Sequence, residues 1–277
     1  MTVAELKINS HQRWTLEDIP WHTIQSDAMV NQEELFNILV AASFIEITTD
    51  LFTRNLLEYF SDDKEVTLWL EQHWEHEELL HGYSLKRYVQ TVWPEFDWER
   101  TYQAFLSEYS NYCRLDLLEP TRSMEMAARC VVEMGTASYY TALSRLSPDP
   151  VLSMLAHHIR EDEVRHYKHF YHYFLRYRQC EGTSRTSVLK ALWHRLKMID
   201  GEDGLIAIKH VYLARHPGHQ FDKHVYRDLR KRYQHKVRRH IPLEMSIKML
   251  IKPLGLSPRV QHAAVPILAG LARHTVV

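Results

Sequence analysis

Apolar positions recur at three-to-four spacing through residues 30–60, where Leu35, Leu39, Ala42 and Ile45 mark one stripe that no proline or glycine interrupts. This predicts a first long helix. Ser61-Asp62-Asp63 supplies capping side chains for a second helix running to about Val89, and Trp93-Pro94 breaks it. A shorter helix is predicted at 98–117. Glu119-Pro120-Thr121 opens another, running to about Arg145, and Ser147-Pro148-Asp149-Pro150 is a turn signal before a helix that reaches about Arg178. At Gly182-Thr183-Ser184 the pattern changes. The helices beyond it read as shorter and more basic, with interruptions at Gly201, Gly204, Pro217-Gly218, Pro242 and Pro253-Leu254-Gly255. The expectation is an all-α chain with an N-terminal arm at 1–29, a four-helix bundle at 30–180 and an accessory helical region at 181–277.

Eight glycines in 277 residues are few for a fold that spends glycine in hairpin turns or phosphate loops, which agrees with a helical reading. A net charge of -1 creates no whole-molecule field that selects nucleic acid or an anionic surface. Cys113, Cys130 and Cys180 are an odd number without a CxxC, which argues against a disulfide framework and against a thiolate zinc site, and for a cytoplasmic location. Glu5, Lys7, Arg13, Glu17 and Asp18 punctuate the first 25 residues, and no window approaches about 18 consecutive apolar residues. Neither an export signal nor a membrane span is expected.

Candidate chemistry sits in the first two-thirds of the chain. Two Glu-x-x-His units occur, Glu78-Leu79-Leu80-His81 and Glu163-Val164-Arg165-His166. Residues three apart share a helix face, so each unit can present a carboxylate and an imidazole to one ion. With nineteen histidines in the chain the bare motif carries little weight. Its companions carry more: Glu46 lies in the apolar run Phe44-Ile45-Glu46-Ile47, and Glu133 lies in Val131-Val132-Glu133-Met134. An unpaired carboxylate in such a run is disfavoured, so each is expected to be protonated, paired or metal-bound. The intervals Glu46 to Glu78 and Glu133 to Glu163 are nearly equal, and each fits one helix, a turn and a return along an antiparallel neighbour. Glu, ExxH, Glu, ExxH thus gives six ligands from four helices, the composition of carboxylate-bridged two-metal sites. Carboxylates and neutral imidazoles suit iron, with a mixed manganese-iron pair also compatible. Glu77 and Asp162, each beside a ligand in sequence, are candidates to hydrogen-bond ligand imidazoles, or else solvated helix surface.

The longer strings resemble the soluble acyl-carrier-protein desaturases of the ferritin-like di-iron carboxylate superfamily. Trp74-Glu75-His76-Glu77-Glu78-Leu79-Leu80-His81-Gly82 is similar to that family's W-x-x-E-E-x-x-H-G segment, and Asp162-Glu163-Val164-Arg165-His166 to its D-E-x-R-H segment. The resemblance covers about residues 35–175. It implies a ferritin-like bundle with additional C-terminal helices. It further implies Glu46 and Glu133 as terminal ligands, Glu78 with His81 on one ion, Glu163 with His166 on the other, and Glu78 and Glu163 as bridges. Thr136 matches a threonine beside the oxygen site. Dioxygen as co-substrate, a ferredoxin-like electron donor, an aliphatic substrate tethered to an acyl carrier protein, and a homodimer are further implications. Leu79-Leu80 and Val164 depart from the family's usual residues, which leaves desaturation and hydroxylation both open.

Two other classes use the same ligands: ferritin or bacterioferritin iron storage, against which the residues after Gly182 argue, and a radical-generating subunit like that of ribonucleotide reductase, for which Tyr139, Tyr140 and Tyr167 lie near ligands in sequence. The basic run from Arg227 to Arg239 reads either as a solvated helix face or as a dock for an acidic partner such as the carrier or the ferredoxin. No base-reading motif accompanies it, so nucleic acid is not an expected partner.

Overall fold

The side chains that start and stop the helices explain where the elements fall. In a computed structural model, which describes residues 13–198 and 202–276, thirteen α-helices appear and there is no strand among the described residues. The first twelve residues of the expected N-terminal arm, and the interruption expected at Gly201, lie outside the described residues.

The chain divides into two compact units that interleave along the sequence: Met1–Leu117, Ser147–Leu155 and Asp200–Tyr233 in the first, Leu118–Leu146, Ala156–Ile199 and Gln234–Val277 in the second.

In the first unit a short α1 (Ser26–Met29) precedes α2 (Glu33–Ile47) and α3 (Thr49–Tyr59). The sequence predicts one helix over these last two; the structure breaks it at Thr48. The Thr48 hydroxyl hydrogen-bonds the Phe44 and Ile45 carbonyls at 3.1 and 2.7 Å, competing with the backbone ladder and ending α2 one turn after Phe44. Asp63 then caps α4 (Lys64–Trp69), its carboxylate accepting from the Val66 N–H at 3.3 Å. A π-helical turn, Leu70–Trp74, separates α4 from α5 (Glu75–Val92), where the sequence pattern predicts unbroken helix. His76 Nδ1 lies 2.8 Å from the Glu71 carbonyl oxygen in this turn, so that nitrogen carries the ring proton. α6 (Trp98–Tyr109) stops earlier than the predicted 117, because Asn111 Nδ2 donates to the Ser107 and Glu108 carbonyls and turns the chain into short 3-10 segments.

α2 packs along α5, and α10 (Glu202–Arg215) packs on α2 and α6. Gly204, expected to interrupt, lies inside the first turn of α10. Phe36 at the start of α2 meets Trp93 at the end of α5, which fixes the pair as antiparallel. Phe44 is held between Trp98 and Phe105 of α6, and the Trp98 indole donates to the buried Ser43 hydroxyl at 2.9 Å. The α2 turn that carries Glu46 is therefore clamped from behind. Asp149 closes this unit: its carboxylate accepts from the Tyr88 hydroxyl, the Gln25 N–H and the Leu152 N–H. By length and apolar composition the stretch Glu33–Tyr59 could cross a membrane, and 78% of its most apolar window is buried inside the protein.

In the second unit α7 (Arg122–Leu146) takes its N-terminal cap from the end of α8 (Pro150–Glu181), the Glu181 carboxylate accepting from the Arg122 and Ser123 N–H groups, both at 3.1 Å. That contact makes the α7 and α8 pair antiparallel as well. α9 (Arg185–Met198) and α12 (Leu243–Ile251) pack on α7, and α13 (Pro258–Val276) packs on α12. α11 (Lys223–Val237) links the last part of the first unit to the second along the chain.

A buried charge cluster anchors the start of α7. Glu125 accepts from Arg129 Nε at 2.7 Å and from the Glu119 N–H at 2.8 Å. Burial pushes its carboxyl up, but the charges of Arg129 and Arg195 outweigh this and hold it below the ordinary 4.5. Its contribution to stability is therefore complete above pH 4.5 and is lost as pH falls through the lower folded-state value. Arg129→Ala leaves that carboxylate buried without its main partner and is expected to lower stability by about 3–5 kcal/mol at neutral pH. Urea unfolding from neutral to acid pH checks both statements: the deficit should shrink once Glu125 is protonated, and a constant deficit would contradict the assignment.

Candidate metal centre

Glu46 occupies the last turn of α2, and Glu78 and His81 lie on the first two turns of the antiparallel α5. A donor atom of each lies within 4.8 Å of the other two, and His81 Nδ1 is 3.6 Å from Glu78 Oε2. The second unit repeats the arrangement. Glu133 projects from the middle of α7 towards Glu163 and His166 of α8, again with donor atoms within 4.8 Å of each other; His166 Nδ1 lies 3.5 Å from Glu133 Oε2 and 3.9 Å from Glu163 Oε2. All six side chains are buried.

The donor chemistry fits a cation. Each triad places two carboxylates close together away from water, where like charges repel strongly unless a proton or a cation is shared between them. The nitrogen-to-oxygen separations exceed a hydrogen bond. Ligands about 2.1 Å from a common ion stand roughly 3 Å or more apart, so small closing movements would suffice for coordination. Hard oxygen donors with imidazole exclude no first-row divalent metal and suit iron and manganese. No cysteine belongs to either triad; Cys130, one turn before Glu133, has its thiol pushed well above the ordinary 9.0 by burial and by the Glu133 charge.

Thr136, Asp162, Glu77 and Tyr167 stand beside these groups in the structure or the sequence. The Thr136 hydroxyl donates to Glu163 Oε2 at 2.7 Å, closer than its own-helix carbonyls at 3.1 and 3.3 Å, as expected when the acceptor is charged. Asp162 is buried and ion-paired with Arg165 Nη2 at 2.5 Å, while Glu77 is half-buried on α5 beside Glu78. Tyr167, next to His166, donates its hydroxyl to the Met249 carbonyl at 2.6 Å, and burial raises the phenol far above its ordinary value.

Two contributors escape sequence reasoning. The buried Trp14 lies parallel to His81, ring centroids 6.1 Å apart and planes within 3°, and reaches it from a position remote in sequence. Gly82 lets α2 come against α5: a methyl built there would stand 2.5 Å from Ile47 Cγ1, 2.7 Å from the Ile47 backbone nitrogen and 3.1 Å from the Glu46 carbonyl carbon. The string around Gly82 is visible in the sequence; the helix it accommodates is not.

Comparison with family models, curated proteins and solved structures returns no match for this chain.

Proposed function

We propose that the two triads are halves of one carboxylate-bridged dinuclear iron centre, held in a ferritin-like bundle of α2, α5, α7 and α8, and that the protein is an oxygen-dependent oxidoreductase acting on an aliphatic chain. The observation that carries this reading is the duplication: two antiparallel helix pairs each bury one glutamate beside an ExxH unit. In this reading Glu46, Glu78 and His81 would hold one ion and Glu133, Glu163 and His166 the other.

When bound, a reduced iron pair supplies the redox and Lewis-acid chemistry needed to activate dioxygen. The chain's own residues do the rest. The four carboxylates balance the charge of two divalent ions, which removes the repulsion that they suffer when packed together. The Thr136 hydroxyl donates to one oxygen of Glu163 and so fixes the orientation of that carboxylate. Trp14 lies parallel to His81, and the clamp on Ser43 and Phe44 fixes the turn carrying Glu46. A ferredoxin-like donor, a carrier-tethered acyl substrate, homodimeric assembly and a cytoplasmic site of action follow from the resemblance and belong to the same proposal.

Elemental analysis after anaerobic loading with ferrous iron tests the centre, alongside Glu78→Ala and Glu163→Ala. About two irons per chain, much reduced in both variants, is the expected result. A wild-type chain that retains no metal would end the proposal, and uptake of many irons per chain on aeration would replace it with iron storage.

A further inference from the structure

α13 is built inside out. Ala269 faces the protein, only 2% exposed, while Ile267 and Leu271 are 64% and 59% exposed and Val260 is 52% exposed. At 3.6 residues per turn Val260, Ile267 and Leu271 project within about 40° of one another, so they form one apolar ridge along the helix. A helix that only had to cover a core would place these residues inward. The helix carries cations and no acid. Arg259 and Arg273 are the only charged residues other than histidine in Pro258–Val276, and residues 234–277 hold seven Lys and Arg against the single acid Glu244. α9, in the same unit, independently shows the same character: it carries Arg185, Lys190, Arg195 and Lys197, no acid, and an exposed Leu189 and Trp193, with the Lys197 ammonium 5.2 Å from the Trp193 ring centre.

We propose that the α13 ridge docks on an anionic lipid surface, the helix lying in the headgroup layer with its aliphatic residues inserted and its arginines on lipid phosphates. Apolar residues set among cations, without acids, are the composition of helices that lie in a membrane interface. A second copy of this chain fits the ridge less well. A symmetric contact brings the same helix to both sides, and α13 has no carboxylate to meet the arginines of its twin.

Vesicle flotation tests the proposal on the full chain, with phosphatidylcholine vesicles and with phosphatidylcholine mixed with phosphatidylglycerol. The chain should float with the phosphatidylglycerol vesicles far more than with the neutral ones, and added salt should weaken binding. Ile267→Glu with Leu271→Glu should lower the affinity tenfold or more, and Arg259→Gln with Arg273→Gln by roughly tenfold. Because these side chains are exposed, both double variants should keep the wild-type circular dichroism, which guards against unfolding as the cause. Absence of flotation, or flotation unchanged by Ile267→Glu with Leu271→Glu, overturns the proposal. Absence of flotation together with a dimer that this variant dissociates would assign the ridge to self-association instead.

Discussion

Gly82→Ala should destabilise the protein by about 2 kcal/mol and lower its metal content, although the same change in an ordinary exposed helix stabilises by about 1 kcal/mol. The sign reverses because the added methyl meets Ile47 Cγ1 and, more importantly, the Ile47 backbone nitrogen at distances that real contacts do not tolerate. Carbon contacts settle near 3.5–4.0 Å, so α2 must retreat by roughly 1 Å. Overpacking of this kind costs about 1–3 kcal/mol, occasionally more, and outweighs the helical gain. The retreating backbone is that of Glu46 and Ile47, so one ligand moves away from His81. Gly204→Ala is the control, since nothing lies within 4 Å of a methyl there, and it should stabilise. Urea unfolding and iron content of both variants decide the matter; a Gly82→Ala protein as stable as wild type would show that the helices are not pressed together at this point.

Ferrous iron should stabilise the folded chain more than any substitution at the surface. A ligand that binds only the folded state at about 1,000 times its dissociation constant adds about 4 kcal/mol, and the triads exist only when the helices are paired. The sign with pH follows from the donors: carboxylates and imidazoles must shed protons to bind, so the stabilisation should fade as the solution is acidified. Chelation should reverse it, and Glu78→Ala or Glu163→Ala should gain little from iron at any pH. Thermal unfolding under anaerobic conditions, with and without the metal, measures the difference. A wild-type chain whose unfolding temperature ignores iron would contradict a folded-state site.

Spacing and apolar context make the triads legible in the sequence because both are local or nearly so. Glu46 to Glu78 is one helix and its return, and α2 and α5 run that way; Glu133 to Glu163 repeats the interval in α7 and α8. The all-helical content follows from the same stripes. Other features depend on partners far along the chain. Trp14 reaches His81, and α10 returns after residue 200 to pack on α2 and α6, by contacts that no periodicity announces. The early end of α2 has a local cause in the Thr48 hydroxyl, but threonine within helices is common and gives no sign by itself. Gly82 is readable as a motif letter, while its reason, the backbone of Ile47, is tertiary.

The π-helical turn at Leu70–Trp74 acts as a phase shifter. One residue more than an α-turn requires is taken up there, so everything after it is rotated by about 100° against everything before it. A helical wheel drawn continuously from Lys64 to Val92 therefore assigns the wrong neighbours across residue 72. A single deletion inside the turn would remove the surplus residue and leave regular α-helix with both flanks in place, whereas a second deletion would swing Glu78 and His81 out of their facing direction while leaving every amino acid of the motif in place. The ligands of α5 are thus specified by a count of residues as much as by their identity.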